Sequence, residues 1–573
     1  MIYKISSANP SSRYLQISAT TGNLEKKNIE IQLPAWRPGR YELANFAKNV
    51  RNFKAYDADM REIKAEKITK DKWAIASEKT SSVTIHYEYF ATELNAGSTF
   101  TDATQIYLNP VNCLVYNPEK MQEECKVELD IPSDWEIATA LKKEKNILIA
   151  RNFDHLADSP FIASKSLKHN HFILDGVEFH LWFQGVVNPD WPKIISDFFV
   201  FIAEQMAMFG SFPSTEFHFL FQILPNKIYH GVEHTESTVI ALGPGYKLMS
   251  GETYNDFLGV SCHELFHAWN IKAIRPAEMM PYNFTKENYS RLGYVCEGVT
   301  TYYGDYLLFR SGVWKETEFW PTFNERIDNH FESHARNFQS VSEASFDSWL
   351  DGYVPGAPHR KTSIYHEGCL LAFVTDMFIR KNTSNKKSLD DVMRRLWTEF
   401  ALKGNGYTES DYKRLIEEEA NADFSYYWNN YFYKANSYEP ILAEALNMIG
   451  CELNFVESSR LNEKYFGFKV IEPAGQTKVS EIYYGSPAEK YGLSVNDEIL
   501  AVNGMQIKAD MAEWIKFFDD KEIEFVVASG GFVKNIRIKA GQETYYSNPK
   551  VTRKANPDDL QRTTWERWSG KKY

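Results

Sequence analysis

Residues 261–270 read SCHELFHAWN, with two histidines four positions apart and a glutamate directly after the first. Positions i and i+4 lie on one face of an α-helix, so His263 and His267 can direct both imidazoles at a single metal ion. Glu264 lies about 100° around the same helix, where it can take a proton from a metal-bound water. The alternative is a buried amphipathic helix, because the stretch is also rich in apolar residues. The spacing favours the metal site, with Glu264 as general base.

A catalytic zinc ion needs a third protein ligand and leaves its fourth position to water. One histidine pattern would need a further ligand at position 273, which is Ala273. The remaining candidates are the downstream carboxylates Glu278, Glu287 and Glu297. Glu287 lies in polar TKENYS, where the first turn of a helix is its more ordinary place. We prefer Glu297, because it lies in apolar RLGYVCEGVTTYYGDYLL, where a carboxylate without a partner is costly.

Two cysteines and one aspartate lie close to the proposed ligands in the sequence. Cys262 and Cys296 each precede a ligand, and we interpret them as small buried packing residues rather than redox groups. The six cysteines are widely scattered and form no C-x-x-C pair, so we expect them to be reduced. Asp305 is eight residues beyond Glu297, on roughly the same helix face, and could orient a ligand.

Composition indicates a multidomain globular chain. Its 573 residues exceed what one hydrophobic core usually serves, and 43% of them are hydrophobic. The formal net charge of −12 argues against a nucleic-acid partner, which requires concentrated Lys and Arg. No apolar run approaches the ~20 residues that span a bilayer, so we expect no membrane span. The opening MIYKISSANP does not read as a secretory signal, so we expect the chain as given to be cytoplasmic, although a leader removed earlier would leave no trace.

Periodicity divides the chain into successive regions. The first ~165 residues alternate apolar and polar positions, as in NIEIQLP and VTIHYEY, and predict strands interrupted by a structured loop at LPAWRPGRYE. The stretch KIISDFFVFIAEQMAMFG then repeats apolar residues at helical spacing, and EFHFLFQIL alternates as a strand. The predicted apolar repeat of this helix is Ile195, Phe198, Phe199, Ile202 and Met206. Between about 255 and 435 helices are expected to dominate, with start signals at Ser388 and Thr408. After ~455 short strand-like runs return, with Asn503-Gly504 typical of a hairpin turn.

Residues 263–312, from HELFHAW to LLFRSG, resemble the glycyl aminopeptidase family of metallopeptidases, M61, which is related to aminopeptidase N and the thermolysin-like peptidases. The similarity extends to LPAWRPGRYELANFAKNV at residues 33–50 and to a PDZ-like segment near the C-terminus. The resemblance implies a multidomain α+β chain, with a β-rich N-terminal domain and a thermolysin-like catalytic domain that is mainly helical in its C-terminal half. We place these domains at residues 1–168 and 169–450, followed by a small PDZ-like β domain at 451–545 and a tail at 546–573.

The resemblance also implies roles for particular residues. The glutamate of the family's E-G pair is the third zinc ligand, which matches Glu297. YHGVEHTES is similar to a substrate-binding strand, in which Gly231 begins the motif and Glu233 binds the free α-ammonium of the peptide. IYHEGCLLAF resembles the helix start whose tyrosine hydrogen-bonds the oxyanion, which is Tyr365 here; Glu367 stands where aminopeptidase N relatives have lysine.

The C-terminal segment carries a second possible activity. YFGF at 465–468 looks like a PDZ carboxylate-binding loop, so Phe466, Gly467 and Phe468 could bind the C-terminus of a peptide that adds a strand. A degenerate module that only packs on the enzyme is the alternative.

The sequence therefore predicts an aminopeptidase with one zinc ion, acting on peptides with a free N-terminus. The family name suggests glycine or other small residues at the cleaved end. Two other functions stay open: a zinc endopeptidase of the same chemistry, and a PDZ peptide-binding scaffold with an inactive hydrolase domain.

Overall fold

The structure, a computed structural model, describes residues 1–24, 26–353, 357 and 359–573. Within these ranges three large apolar cores form: one among the N-terminal strands, one in the middle of the chain and one in a small C-terminal β domain. No helix in the described ranges is both long enough and apolar enough to cross a membrane. The division into a β-rich beginning, a helical middle and a small β domain is as predicted.

Strands dominate the N-terminal region. They are β1 (Ile2–Ser6), β2 (Tyr14–Gly22), β3 (Asn28–Gln32), β4 (Val50–Tyr56), β5 (Glu62–Ile63), β6 (Ala65–Thr69), β7 (Lys72–Ala76), β8 (Ser82–Phe90), β9 (Phe100–Thr101), β10 (Gln105–Leu108), β11 (Cys125–Asp130), β12 (Glu136–Thr139), β13 (Lys142–Glu144), β14 (Ile147–Ala150) and β15 (Phe161–Ser164), with short helices α1 (Pro110–Cys113) and α2 (Phe153–Ala157). Their sheet orders are β13-β14-β11-β1-β2-β8-β4-β5, β12-β15-β10-β9 and β3-β7-β6. The alternation in the sequence is reproduced, since Ile29 and Ile31 of β3 are buried, as are Val83 and Ile85 of β8.

The middle region opens with a five-stranded sheet. Its strands are β16 (Lys168–Leu174), β17 (Val177–Gly185), β18 (Glu216–Ile223), β19 (Ile228–Glu233) and β20 (Ser237–Gly243), in the order β16-β17-β18-β20-β19. Strands β17, β18 and β20 are parallel, whereas the two edge strands are antiparallel to their neighbours. The edge strand β19 carries the predicted substrate-binding motif and contacts the helix that carries both histidines.

Helices make up most of the rest of this region; the first lies between β17 and β18 in the chain, and the others follow β20. They are α3 (Trp191–Phe209), α4 (Gly251–Phe266), α5 (Thr300–Arg310), α6 (Glu316–Glu332), α7 (Val341–Phe346), α8 (Ser348–Asp351), α9 (Ile364–Thr383), α10 (Leu389–Arg395), α11 (Glu409–Ala420), α12 (Ser425–Tyr427) and α13 (Glu439–Met448). Capping boxes begin α10 at Ser388 and α11 at Thr408, as the sequence predicted. The helical repeat assigned Phe199 to the buried face of α3, but that side chain is 43% exposed, because the buried stripe passes through Phe198 and Phe201 instead.

The C-terminal β domain consists of a sheet and a ribbon. Its elements are β21 (Cys451–Glu457), β22 (Phe468–Ile471), β23 (Thr477–Ile482), α14 (Pro487–Lys490), β24 (Glu498–Val502), β25 (Met505–Gln506), α15 (Met511–Phe518), β26 (Glu522–Ser529), β27 (Phe532–Lys539), β28 (Ser547–Arg553) and α16 (Asp559–Ser569). The sheet order is β22-β23-β24-β26-β27, and Asn503-Gly504 forms the predicted turn between β24 and β25. Strand β28 pairs with β21, and α16 then buries Trp565 and Trp568 in the core of the middle region.

Candidate metal centre and active site

Both histidines of the opening motif lie at the end of helix α4. Their Nε2 atoms are 3.0 Å apart. The helix continues into a wider, π-helical turn at Ala268–Ala273, and the backbone leaves helical geometry at Asn270, with φ −108° and ψ 90°. The Asn270 carbonyl consequently accepts a hydrogen bond from Nδ1–H of His267 at 2.6 Å. With the proton fixed on Nδ1, the Nε2 lone pair of His267 is available for a metal ion.

Glu297 completes this group from a second helical segment. It lies in the π-helical turn Tyr294–Val299 that leads into α5, and its side chain is buried. Its Oε2 lies 3.5 Å from Nε2 of His267 and 3.9 Å from Nε2 of His263. Its other oxygen, Oε1, accepts a hydrogen bond of 3.1 Å from the phenol of Tyr41, which belongs to the N-terminal region.

The three ligand atoms have the spacing that a zinc ion requires. Zinc–ligand bonds of about 2.0–2.1 Å in a tetrahedron place neighbouring ligand atoms about 3.3 Å apart, close to the distances of 3.0, 3.5 and 3.9 Å found here. Burial acts to lower the pKa of both imidazoles and does lower that of His263, whereas the hydrogen bond and negative charge of Glu297 raise the pKa of His267. Two imidazole nitrogens and one carboxylate oxygen are a donor set that fits zinc.

Glu264 lies beside the three ligands and has its carboxylate against strand β19. Its Oε2 is buried and has no hydrogen-bond partner among the described residues. A Cβ built on Gly231 would stand 2.1 Å from Oε1 of Glu264, so only glycine at this position leaves room for the carboxylate. Burial, together with the charges of Glu233 and Glu297, raises the pKa of Glu264 well above its usual range.

Glu233 lies close to Glu264, at the end of strand β19. One ligand-type atom from each of Glu233, Glu264 and His267 lies within 4.8 Å of the others. The loop at residues 33–50 packs against the Glu233 carboxylate, since a Cβ on Gly39 would stand 2.3 Å from Oε2 of Glu233. The buried Arg37 guanidinium of the same loop attracts Glu233 electrostatically.

An ion-pair cluster fastens the end of β19 to the N-terminal region. Asp158, just after α2, accepts a hydrogen bond of 2.7 Å from Lys272 and contacts Nδ1 of His234 at 3.2 Å. It also accepts hydrogen bonds from the backbone N–H and hydroxyl of Thr235, at 2.9 and 2.6 Å. Because His234 directly follows Glu233, this cluster fixes where the Glu233 carboxylate lies.

Tyr365 enters the site from the first turn of α9. Helix α9 and the turn that carries Glu297 cross closely at two glycines. A Cβ on Gly298 would stand only 2.3 Å from Cα of Gly368. Burial and the charge of Glu297 raise the pKa of Tyr365, so its phenol stays protonated and can donate a hydrogen bond. All seven residues predicted for the metal and peptide site line one cavity of about 320 Å³: Gly231, Glu233, His263, Glu264, His267, Glu297 and Tyr365.

Family models cover most of this architecture. A model of the peptidase M61 N-terminal domain matches residues 2–165, the M61 glycyl aminopeptidase model matches residues 256–371 and a PDZ domain model matches residues 478–529. Both M61 models match, one over the N-terminal strands and one over the candidate metal centre. These matches identify the chain as a metallopeptidase.

Solved structures with a similar fold include the aminopeptidase N family protein from Idiomarina loihiensis. That protein is 24% identical to this chain with a TM-score of 0.90, over 98% of this chain and 99% of that chain. A mutant M1 zinc metallopeptidase from Deinococcus radiodurans, bound to a Tyr-Ser-Ala substrate, is 12% identical with a TM-score of 0.44, over 74% of this chain and 90% of that chain. No protein with a curated description matches the sequence.

Some residues considered from sequence lie apart from the candidate metal ligands. Glu278 accepts a hydrogen bond of 2.7 Å from Ser290, and within the described ranges neither it nor Glu287 lines the cavity. Asp305 lines the cavity but accepts its hydrogen bond from Arg326, at 3.4 Å, and the described contacts include none from Asp305 to a ligand.

The two neighbouring cysteines are buried free thiols. Burial raises the pKa of both Cys262 and Cys296, which keeps them protonated. The structure thus places them as packing residues next to the ligands.

The PDZ loop lies in the C-terminal β domain, outside the catalytic cavity. Phe466 and Phe468 are buried in the core of that domain. The N–H of Gly467 donates to the carbonyl of Asn462, and the Gly467 carbonyl accepts a hydrogen bond from Tyr483 at 2.9 Å.

Sequence reasoning missed the residues that hydrogen-bond to the candidate metal ligands and orient them. Tyr41 is 256 positions from Glu297, and Asn270 acts through its backbone carbonyl. The resemblance of the stretch at 33–50 to the family was the only available signal for Tyr41, and it carried no indication of contact with the metal site.

Proposed function

We propose that this metallopeptidase is an aminopeptidase that holds one zinc ion between Nε2 of His263, Nε2 of His267 and Oε2 of Glu297. The separations of these atoms and the fixed tautomer of His267 support this ligand set. When bound, zinc polarises the scissile carbonyl and lowers the pKa of water in the site.

Glu264 is the general base in this proposal. Its unpartnered Oε2 is free to accept a proton from the attacking water. Burial raises its pKa, so the carboxyl group can keep that proton until the leaving amine takes it. Glu264 therefore serves first as base and then as acid.

Tyr365 stabilises the negative charge that develops on the carbonyl oxygen. Its protonated phenol lines the cavity together with the metal ligands. A hydrogen bond to an oxyanion from one such donor contributes about 2.7–4 kcal/mol to the transition state.

The observation that carries the aminopeptidase assignment is the position of Glu233. Its buried carboxylate lies within a few ångström of Glu264 and His267, where it can accept charge-assisted hydrogen bonds from a substrate α-ammonium. An endopeptidase needs room for several residues beyond this point, but the backbone of Gly39 lies against the carboxylate. The loop at 33–50 therefore closes the cavity behind the first substrate residue.

Two peptides that differ only in N-terminal acetylation test this assignment. The acetylated peptide should be cleaved at least about a hundredfold more slowly, because Glu233 would lose the charge-assisted hydrogen bonds of the α-ammonium and face a neutral group instead. Glu233→Gln should reduce the difference in cleavage rate between the two peptides. The control Glu236→Gln, which replaces a nearby carboxylate that contacts His155, should leave that difference unchanged. Equal rates for the two peptides would contradict the aminopeptidase assignment. Glycine is the first N-terminal residue to test, because the matching family model describes a glycyl aminopeptidase.

We also propose that the PDZ domain, predicted at residues 451–545, binds the C-terminus of a peptide. Strand β22 is an edge strand of its sheet and begins at Phe468, the last residue of the loop, so an added peptide strand would end at this loop. Fluorescence anisotropy with labelled peptides tests the proposal, since free C-termini should bind more tightly than amidated ones. Identical affinities would remove the loop from carboxylate recognition.

A further inference from the structure

A histidine-rich hairpin lies at the other edge of the five-stranded sheet. Strands β16 and β17 are joined by Asp175 and Gly176, whose φ angles of 48° and 83° are those of a tight type I′ turn. The turn sets a register that places His171 directly opposite His180. Alternate residues of the hairpin, including Phe172, face the apolar core instead.

The adjacent strand β18 extends this polar face. Because β17 and β18 pair in parallel register, Glu178 lies beside Glu216 and His180 beside His218. Imidazoles and carboxylates therefore form neighbouring rows across three strands. The face comprises His169, His171, Glu178, His180, Glu216 and His218.

Three of these side chains converge at distances suitable for a metal ion. Nδ1 of His171 lies 2.5 Å from Oε1 of Glu178, and Nε2 of His180 lies 3.6 Å from the same oxygen. One ligand atom from each of the three residues lies within 4.8 Å of the others. The 3.6 Å separation lies within the range of 3.0–3.9 Å found in the candidate catalytic ligand set, whereas the 2.5 Å pair is a hydrogen bond that a bound ion would replace.

Hydrogen bonds with neighbouring rings determine which ring nitrogen of His180 and of His218 can bind a metal ion. Nδ1 of His180 lies 3.0 Å from Nε2 of His169, so a proton on Nδ1 can be donated to His169 while Nε2 of His180 faces Glu178 with its lone pair. His218 differs, because its Nδ1 accepts a hydrogen bond of 3.2 Å from Trp182. Its proton must then lie on Nε2, which removes His218 as a neutral ligand through that atom.

The site is open to solvent. The His171 side chain is 51% exposed and that of Glu178 is 38% exposed, so an ion can reach both.

We propose that Nδ1 of His171, Oε1 of Glu178 and Nε2 of His180 form a second metal site, which binds Zn²⁺ or another divalent transition metal ion of similar softness. Two imidazoles and one carboxylate suit such ions and leave further positions to water. The site joins an edge strand to its neighbour, and none of its three ligands lines the catalytic cavity. An ion there would therefore stabilise the hairpin and raise the unfolding temperature rather than take part in peptide hydrolysis.

Equilibrium dialysis of the full-length zinc-loaded protein against Zn²⁺, with metal content measured by mass spectrometry, tests the site. The wild type should take up a second ion per chain. His171→Ala and Glu178→Gln should each weaken that binding at least about tenfold, since even an orienting neighbour of a ligand contributes that much. His218→Gln should retain the second ion, as should His86→Ala, which replaces an exposed histidine of the N-terminal region.

A variant that lacks both histidines of the proposed catalytic centre distinguishes zinc binding at the second site from zinc binding at that centre. A protein with His263→Ala and His267→Ala should still bind one zinc ion, and adding His171→Ala should abolish that binding. The unfolding temperature should rise with zinc in the first protein and stay unchanged in the second. Uptake of one ion only by the wild type across a full zinc titration would overturn the proposal. A second ion that is lost in His218→Gln but kept in His171→Ala would also overturn it.

Discussion

Replacing Gly231 by alanine perturbs the proposed general base through one added methyl group. The new Cβ would stand 2.1 Å from Oε1 of Glu264 and 2.6 Å from its Cδ. An ordinary contact requires about 3.4 Å, so the carboxylate must move by about 1.3 Å. The obstructing atoms belong to the end of a flexible side chain, and the backbone angle of Gly231 is one that alanine adopts easily. The carboxylate will therefore move, and the strand will stay.

This displacement predicts a large kinetic effect and a small effect on stability. A misplacement of about 1 Å at a reacting group costs about a hundredfold in rate, which corresponds to about 2.7 kcal/mol of activation free energy. Moving Glu264 off its preferred rotamer costs about 0.5–1.5 kcal/mol of stability, and replacing glycine by alanine returns about 0.4–1 kcal/mol through the unfolded chain. The free energy of unfolding should thus change by less than about 1 kcal/mol.

Steady-state kinetics on a free-amine peptide, zinc analysis and denaturant unfolding together test this prediction. The Gly231→Ala protein should lose about a hundredfold in kcat while its zinc content stays at the wild-type level. Gly22→Ala is the matched control, because a Cβ at that strand glycine meets no atom within 4 Å. A kcat within about threefold of wild type would refute the reasoning, since the position of the Glu264 carboxylate would then not limit the reaction.

Three further predictions concern the groups around the centre. Tyr41→Phe removes the phenol that donates to Glu297, and should weaken zinc binding about 10–100-fold in a chelator competition assay; unchanged affinity would contradict an orienting role. Glu264→Gln should keep its zinc and lose about 10²–10⁴-fold in kcat, and near-normal turnover would exclude it as the base. Asp158→Asn should destabilise the fold by about 3–5 kcal/mol at pH 7 in denaturant unfolding, because it leaves the buried Lys272 unpaired. Burial alone would raise the pKa of Asp158, but Lys272 outweighs it and holds that pKa well below its usual range. The stabilisation is therefore complete above about pH 4 and fades as the pH falls further. A difference in unfolding free energy between wild type and variant that is unchanged at about pH 3 would contradict this.

Local patterns were sufficient to predict many individual elements. The capping signals at Ser388 and Thr408 begin helices where they were expected, and Asn503-Gly504 makes a tight turn. These features depend on neighbouring residues only, because backbone hydrogen bonding and side-chain caps act over three or four positions. The helical repeat alone did not identify the buried face of α3, since Phe199 satisfies the spacing yet remains largely exposed.

The tail at residues 546–573 could not be assigned from its own composition. It is polar overall, but its strand β28 pairs with β21 about 100 residues earlier, and Trp568 stacks on Tyr306 at 5.2 Å between ring centroids. Whether such a segment packs or trails free depends on the surface that it meets, and no local pattern describes that surface.

By itself the sequence determined that His263 and His267 share one helix face with Glu264 beside them, because i, i+4 spacing on a helix follows from backbone geometry alone. It also indicated a family resemblance, through motifs at residues 33–50, at 263–312 and near the C-terminus. Only the tertiary structure decided how Tyr41 reaches Glu297, how the backbone at Gly39 lies against Glu233, and how a hairpin gathers His171 with His180. These contacts join residues that are distant in the chain or on different strands, so they depend on how whole elements pack and pair.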